Sequence, residues 1–264
     1  MYKEHATFNP PQDDAVLWRY MDFTKFISLL ESRALFFARA DKLGDPFEGA
    51  PSIKNKEFRI EAYLNQPPEH NPLRLMFSED QWKKISEEHV QESMAHWRKQ
   101  RKFILINCWH ESSHESAAMW RLYARETDGI AVKTDFSSFK RSFKCSEDIY
   151  VGRVEYVDYE KTLIPEYNLF SSYLHKRQDF KHEQEVRAIS MNLPKTIEEA
   201  DQPLEICEVG RNREVDFSLL IKEVIVAPYA DDWFLELIQS VAVNRFGLEV
   251  PVVRSDLAQK PIWE

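Results

Sequence analysis

The sequence predicts an α+β fold: a single domain whose twisted mixed or antiparallel sheet is flanked by helices. Three observations predict it. Short apolar runs of strand length recur at residues 16–20, 35–38, 103–109, 130–134 and 219–226. Helical patterns of uneven length separate them, without the regular alternation of a doubly wound sheet. The chain has only six glycines, and they form neither a Gly-x-Gly-x-x-Gly string nor a phosphate loop.

After a polar lead-in over residues 1–14, the run Val16-Leu17-Trp18-Arg19-Tyr20 reads as a strand. Phe23, Phe26, Ile27 and Leu30 follow at helical spacing, with Asp22 or Thr24 as N-cap. A second strand at residues 35–38 leads into the turn-rich Leu43-Gly44-Asp45-Pro46-Phe47-Glu48-Gly49. Residues 51–101 are charged and helix-friendly. Trp82, Ile85, Val90, Met94 and Trp97 mark one amphipathic helix over 78–99, closed by a basic run at 98–102. This stretch has too little apolar content for a core of its own, so it reads as a helical insertion in one domain spanning 1–264.

Residues 103–109 form the clearest buried strand. A helix follows over 113–126, stopped by Asp128-Gly129, and a strand at 130–134. Residues 150–159 read as a strand, 165–177 as a helix, 186–189 and 219–226 as strands. A last helix over 231–246 leads to a strand at 250–253.

Composition narrows the function classes. Hydrophobic residues at 43% and charged residues at 30% are a globular mix, which excludes a disordered or fibrous chain. The start, Met1 to His5, lacks the apolar run of a signal peptide. No stretch approaches the roughly 20 apolar residues of a membrane span. The expectation is a cytoplasmic protein with no membrane partner. A net charge of −9 argues against sequence-blind binding of nucleic acid. Three cysteines without a Cys-x-x-Cys argue against a disulfide framework or structural zinc.

Several constellations could carry chemistry. His110-Glu111-Ser112-Ser113-His114 has the literal spacing of a zinc-peptidase helix. Yet it follows directly on a strand. Ser112 with Glu115 makes a capping box, and Ser113 is also a good N-cap. A helix that starts after Glu111 does not put both histidines on one turn. The string reads as a strand end and cap, and no metal is expected.

Glu183-Gln184-Glu185-Val186-Arg187 places two acids two apart, hence on one face of a strand. Close carboxylates repel, which raises the pKa of one. The plainer reading of the spacing is a solvated strand end, with Arg187 neutralising the pair. Arg19, inside an apolar strand, is a snorkelling edge residue or an anion-binding group. Asp45-Pro46-Phe47-Glu48 has the pattern of a type I turn. Trp109, Trp120 and Tyr123 read as core, or as a stacking wall for a flat ligand. The basic run 98–102 reads as a solvated face, and Cys108 as a buried inert thiol.

The order of these motifs resembles a known family. Leu17-Trp18-Arg19-Tyr20, Leu35-Phe36-Phe37-Ala38, Asp45-Pro46-Phe47-Glu48, Met119-Trp120-Arg121-Leu122-Tyr123-Ala124 with Gly129, Phe180 and Glu183-Gln184-Glu185-Val186-Arg187 occur in this order. Together they look like the bacterial family catalogued as domain of unknown function 2971, over residues 16–228. That family name implies no established activity. A remoter resemblance is to ADP-ribosyltransferases. These carry an Arg or His on a first strand, a Ser-Thr-Ser-like element, and a late strand beginning Glu-x-Glu-Val. Arg19 matches the first and Glu183-Gln184-Glu185-Val186 the third. Cys108-Trp109-His110 stands where Ser-Thr-Ser belongs, a departure from the pattern.

This resemblance implies that Arg19 holds the phosphates of NAD, the substrate. It implies that Glu185 contacts the ribose 2′-hydroxyl and that Glu183 orients the acceptor. Tyr20, Trp120 and Tyr123 would wall the same cleft. The expected function is an NAD-using ADP-ribosyltransferase-like enzyme or NAD glycohydrolase, a toxin or an anti-phage defence effector. Its partners would be a nucleotide and a macromolecular acceptor. Two rivals stand beside it. One is a ligand-binding or sensor module with a structural ion network. The other is a metal-dependent hydrolase or nuclease on His110 and His114, or on Asp45, Glu48, Glu183 and Glu185.

Overall fold

The computed structural model describes residues 1–67, 69–191 and 206–263. Strand β1 (Val16–Asp22) passes straight into helix α1 (Phe23–Ser32), because the Asp22 side chain accepts from Lys25 N at 2.8 Å and caps it. Phe26, Leu29 and Leu30 bury one face of α1. Arg33, at φ 47°, ends the helix in the left-handed conformation and turns the chain into β2 (Ala34–Arg39).

The chain forms two compact units. The first comprises Met1–Ala38, Leu105–Val154 and His182–Glu264; the second comprises Arg39–Ile104 and Glu155–Lys181. The main sheet has nine strands among the described residues. Besides β1 and β2 they are β3 (Ile104–Glu111), β4 (Gly129–Asp135), β5 (Tyr150–Arg153), β8 (Glu185–Met191), β9 (Gly210–Glu214), β10 (Glu223–Val226) and β11 (Val252–Arg254). Their order is β11-β10-β4-β1-β3-β2-β9, and β8 pairs with both β3 and β5. The β10–β11 pair is parallel, while β4–β10, β1–β4, β1–β3, β2–β9 and β5–β8 are antiparallel. This is the α+β fold with a mixed sheet that the sequence predicts.

The sheet branches at β3, which neighbours β1, β2 and β8. Strand β1 pairs with β4 along its whole length, from Val16↔Asp135 to Asp22↔Gly129. It meets β3 only at Leu17↔Glu111 and Trp18↔His110. Beyond that point Glu111 N donates to Gln184 O, so the end of β3 bonds the chain leading into β8. Leu17, Trp109, Phe139, Ile130, Val186 and Val224 are among the side chains that close the core of this unit.

The second unit is built on α2 (Ile53–Leu64) and α3 (Glu79–Gln100), with a parallel pair β6 (Glu155–Val157) and β7 (His175–Arg177). Ser78 caps α3 with a reciprocal capping box to Gln81. Tyr63 stacks between Trp82 and His89, at 5.3 and 4.7 Å. Segment 155–181 completes this small core. Asn55 Nδ2 donates to Ile164 O, and Ile164 N donates back to Asn55 Oδ1, at 2.7 and 2.8 Å. Ser52 Oγ donates to Thr162 O at 2.6 Å.

Four local expectations are corrected. Residues 165–177 are not a helix; they hold one 3-10 turn, Ser171–Tyr173, and then β7. The Asn168 carboxamide accepts from Phe170 N and Ser171 N, a local bonding that competes with helix formation. The strand expected at 150–159 breaks at Val154, whose N–H bonds Glu185 O while Glu155 N–H bonds Leu174 O. Leu219 and Leu220 lie in a short helix, α6 (Phe217–Leu220), because Asp216 accepts from Ser218 N and starts a turn. The expected helix over 113–126 shrinks to α4 (Ala117–Met119) and one wide π turn, Trp120–Ala124. Its cap is Ser116, not Ser112 or Ser113. Helices α5 (Phe136–Ser142) and α7 (Asp232–Gln239) complete the inventory used below. Among the described residues no helix is long and apolar enough to cross a membrane.

Candidate functional site

A group of buried ionisable side chains in the first unit gathers where β3, the π turn and the start of β8 meet. Ser116 accepts from Met119 N at 3.3 Å and starts α4. The Trp120 indole N–H donates to Glu115 Oε2 at 2.9 Å, and its ring meets Tyr20 edge-on, 5.0 Å between centres. The chain then widens into the π turn, a local geometry often found at functional sites. It carries Tyr123 outward, and the Tyr123 hydroxyl donates to Glu183 Oε1 at 2.5 Å. Arg125 follows at φ 72°, a conformation uncommon outside glycine.

The acids arrive by an equally unusual backbone. Glu183 ends a 3-10 helix, Gln178–Glu183, and Glu185 begins β8. Gln184 between them sits at φ 41°. The two carboxylates are therefore not consecutive same-face positions of one strand, as their spacing alone suggests. Nor is this a solvated strand end: Glu183 is 3% exposed, Glu185 7% and Arg187 0%. Arg187 Nε donates to Glu185 Oε2 at 2.5 Å, the neutralising role expected of it.

His110 joins from β3. Its Nδ1 lies 2.6 Å from the Glu183 carbonyl oxygen. A carbonyl only accepts, so Nδ1 carries the proton and Nε2 the lone pair of the neutral ring. Burial holds the His110 pKa below its ordinary 6.5, against the opposing pull of the Glu183 carbonyl and Glu111. His182 pushes it further down. Burial raises the Tyr123 pKa, with the bond to Glu183 and the charges of Glu183 and Glu185 adding to it. Tyr123 is a hydroxyl donor at any physiological pH.

The lowered His110 value has a consequence for stability. In the unfolded chain His110 takes up its proton near 6.5, and in the folded chain only at lower pH. Its contribution is thus complete above 6.5 and lost as pH falls from there toward the folded value. Urea unfolding between pH 7.5 and 5 is expected to show a steeper loss in wild type than in His110→Asn. The difference should approach about 1.4 kcal/mol per pH unit at most. Equal slopes would mean that His110 protonates alike in both states.

Arg19 lies elsewhere on β1. Strand alternation puts it on the face opposite Trp18 and Tyr20. Its Nη1 donates to Cys108 O at 2.8 Å and its guanidinium stands 5.9 Å from the Trp109 ring centre. Burial lowers its pKa, so the charge is held with little water around it. Tyr20 (8% exposed) and Trp120 (0%) are packed residues, while Tyr123 at 44% reaches the surface.

The zinc-peptidase string does not form a helix. His110 and Glu111 end β3, and Arg153 grips Glu111 with two bonds of 2.6 and 2.7 Å. Ser112 Oγ accepts from His114 N, and Glu115 bonds Trp120 rather than closing a capping box. Among the described residues no group of three or more His, Cys, Asp or Glu side chains could hold a metal ion. Asp45 and Glu48 belong to the second unit, Glu183 and Glu185 to the first. The contact between His110 and the Glu183 backbone joins residues 73 apart in the sequence. No local signal reveals that pairing, because it depends on the left-handed step at Gln184.

The fold and this cluster define an α+β protein in which buried Glu183, Glu185 and His110 meet a surface-reaching Tyr123. A family model described as "Protein of unknown function (DUF2971)" matches residues 119–188. That span holds the π turn, both acids and Arg187. No curated protein and no solved structure matches the chain.

Proposed function

We propose that the chain is an NAD-using ADP-ribosyltransferase-like enzyme that breaks the bond between nicotinamide and ribose. The observation that carries this reading is the pair Glu183 and Glu185, buried on either side of a left-handed Gln184 and each gripped by a donor. Nicotinamide leaves with the bonding electrons, and positive charge grows on the ribose. A preorganised carboxylate in a shielded site is the counter-charge that lowers this barrier. Glu185, beside the Arg187 guanidinium, takes that role. Glu183, held by Tyr123, orients the attacking hydroxyl or water, whose proton passes to solvent as the new bond to ribose forms. Tyr123 is the exposed aromatic that contacts the nucleotide. Tyr20 and Trp120 frame it from within. A macromolecular acceptor fits a toxin or an anti-phage effector.

The Glu185–Arg187 pair also favours a second reading, a binding module in which these charges are structural. Nicotinamide release from NAD by purified protein separates the two. Glu183→Gln keeps an oxygen for the Tyr123 hydroxyl and is expected to fold like wild type. Its release rate, and that of Glu185→Gln, is expected to fall by about 100-fold or more. A folded wild type that releases no nicotinamide, with or without cell extract as acceptor source, overturns the enzyme reading.

A further inference from the structure

We propose that the second unit carries an oxyanion site, suited to a phosphate group, around the turn Asp45-Pro46-Phe47-Glu48. Two arginines hold that turn. Arg177 Nη2 donates to Asp45 Oδ1 at 3.0 Å, and its guanidinium stands 4.5 Å from the Phe47 ring centre and 5.2 Å from that of Phe180. Arg101, from the basic run at the end of α3, donates from Nη1 to Pro46 O at 3.3 Å and from Nη2 to Ala40 O at 3.4 Å. Both are long bonds to neutral acceptors. Two motifs that the NAD reading leaves unused, the turn and the basic run, thus meet in space.

The donors that remain point to the ligand. The Nε–H groups of Arg101 and Arg177 are both shielded from solvent, and neither meets an acceptor. Ser172 Oγ, in a residue 3% exposed, is likewise without a partner. Its neighbour Tyr173 lies in the field of Arg101, Glu48 and Asp41. Arg39 makes a two-pronged pair with Asp41, at 2.8 and 2.6 Å, and Arg177 pairs with Asp45. Arg101 has no carboxylate partner among the described residues.

A guanidinium presents Nε–H and one Nη–H along a single edge, which matches two oxygens of a phosphate. A shielded N–H without an acceptor is unfavourable, and an oxyanion held against the turn that both arginines grip would supply the missing acceptor. Two separate edges require more acceptor oxygens than one planar carboxylate offers, so phosphate fits better. The site is independent of the NAD reading, and its test involves no NAD.

That test is thermal unfolding of the full chain in sodium phosphate against sodium chloride at matched ionic strength and pH. Adenosine monophosphate is the second probe. The melting temperature of wild type is expected to rise with phosphate and saturate, as mass action requires. Arg101→Gln is expected to weaken phosphate affinity about tenfold or more. Arg101→Lys keeps the charge, lacks the edge, and should also weaken it. Lys102→Gln, at the exposed neighbouring position, should not. Equal affinity for the two probes assigns a bare phosphate; tighter binding of the monophosphate assigns a nucleotide. No rise beyond that in chloride, or an unchanged rise in Arg101→Gln, would overturn the proposal.

Discussion

Arg187→Met is expected to lower the free energy of unfolding by about 3–5 kcal/mol. Arg187 is fully buried, and its Nε donates to Glu185 Oε2 at 2.5 Å. Methionine fills much the same volume, so the loss reports charge rather than cavity. It removes the Arg187 cation from the Glu185 carboxylate, in an interior where a charge is far less stable than in water. Urea unfolding followed by circular dichroism at pH 7 measures it. Adding Glu185→Gln to Arg187→Met should restore part of the loss, since the buried charge is then gone. A single variant within about 1 kcal/mol of wild type would show that the carboxylate finds water or another cation. A large coupling energy between the two positions measures how far the pair acts as one structural unit.

Gly129→Ala is expected to cost about 1–3 kcal/mol and to disturb the site as well. A Cβ at this position would lie 2.3 Å from Arg125 O and 2.4 Å from Ala124 O. Both are backbone atoms in the turn that follows Tyr123, so relief requires moving that turn. The β1–β4 ladder fixes Gly129 opposite Asp22, and its carbonyl accepts from Ala227 N at 3.0 Å, so the glycine itself has little room to move. The expected result is a lower urea midpoint together with a slower release of nicotinamide. Stability within about 0.5 kcal/mol of wild type would show that the turn adapts freely.

Both experiments concern features of different legibility. The strands β1, β2, β3 and β4 stand in the sequence as short apolar runs, and the helices α1 and α3 as apolar residues at helical spacing. Asp22 is a cap that local chemistry alone specifies. The segment 165–177 misled because its apolar spacing suits a helix, while Asn168 bonds its own backbone more favourably. The helix after β3 misled for a different reason. Ser112, Ser113 and Ser116 are all competent caps, and the choice among them falls to Tyr20, whose hydroxyl accepts from Ser116 N at 3.0 Å.

The site divides along the same line. Glu183, Glu185 and Arg187 are legible as a charged string, and their proximity follows from being neighbours in the chain. Their burial, the Tyr123 bond and the His110 contact are not. Those depend on a π turn and on Gln184 at φ 41°, conformations that no side-chain pattern encodes. By itself the sequence determined the α+β class, the main strands and the Asp22 cap, since apolar patterning and capping act within a few residues. Only the tertiary structure decided which ionisable groups lose their water and which partners they meet. Desolvation and long-range pairing depend on packing from β1, β3 and β8 together, and so does the choice of faces that separates Arg19 from Tyr20.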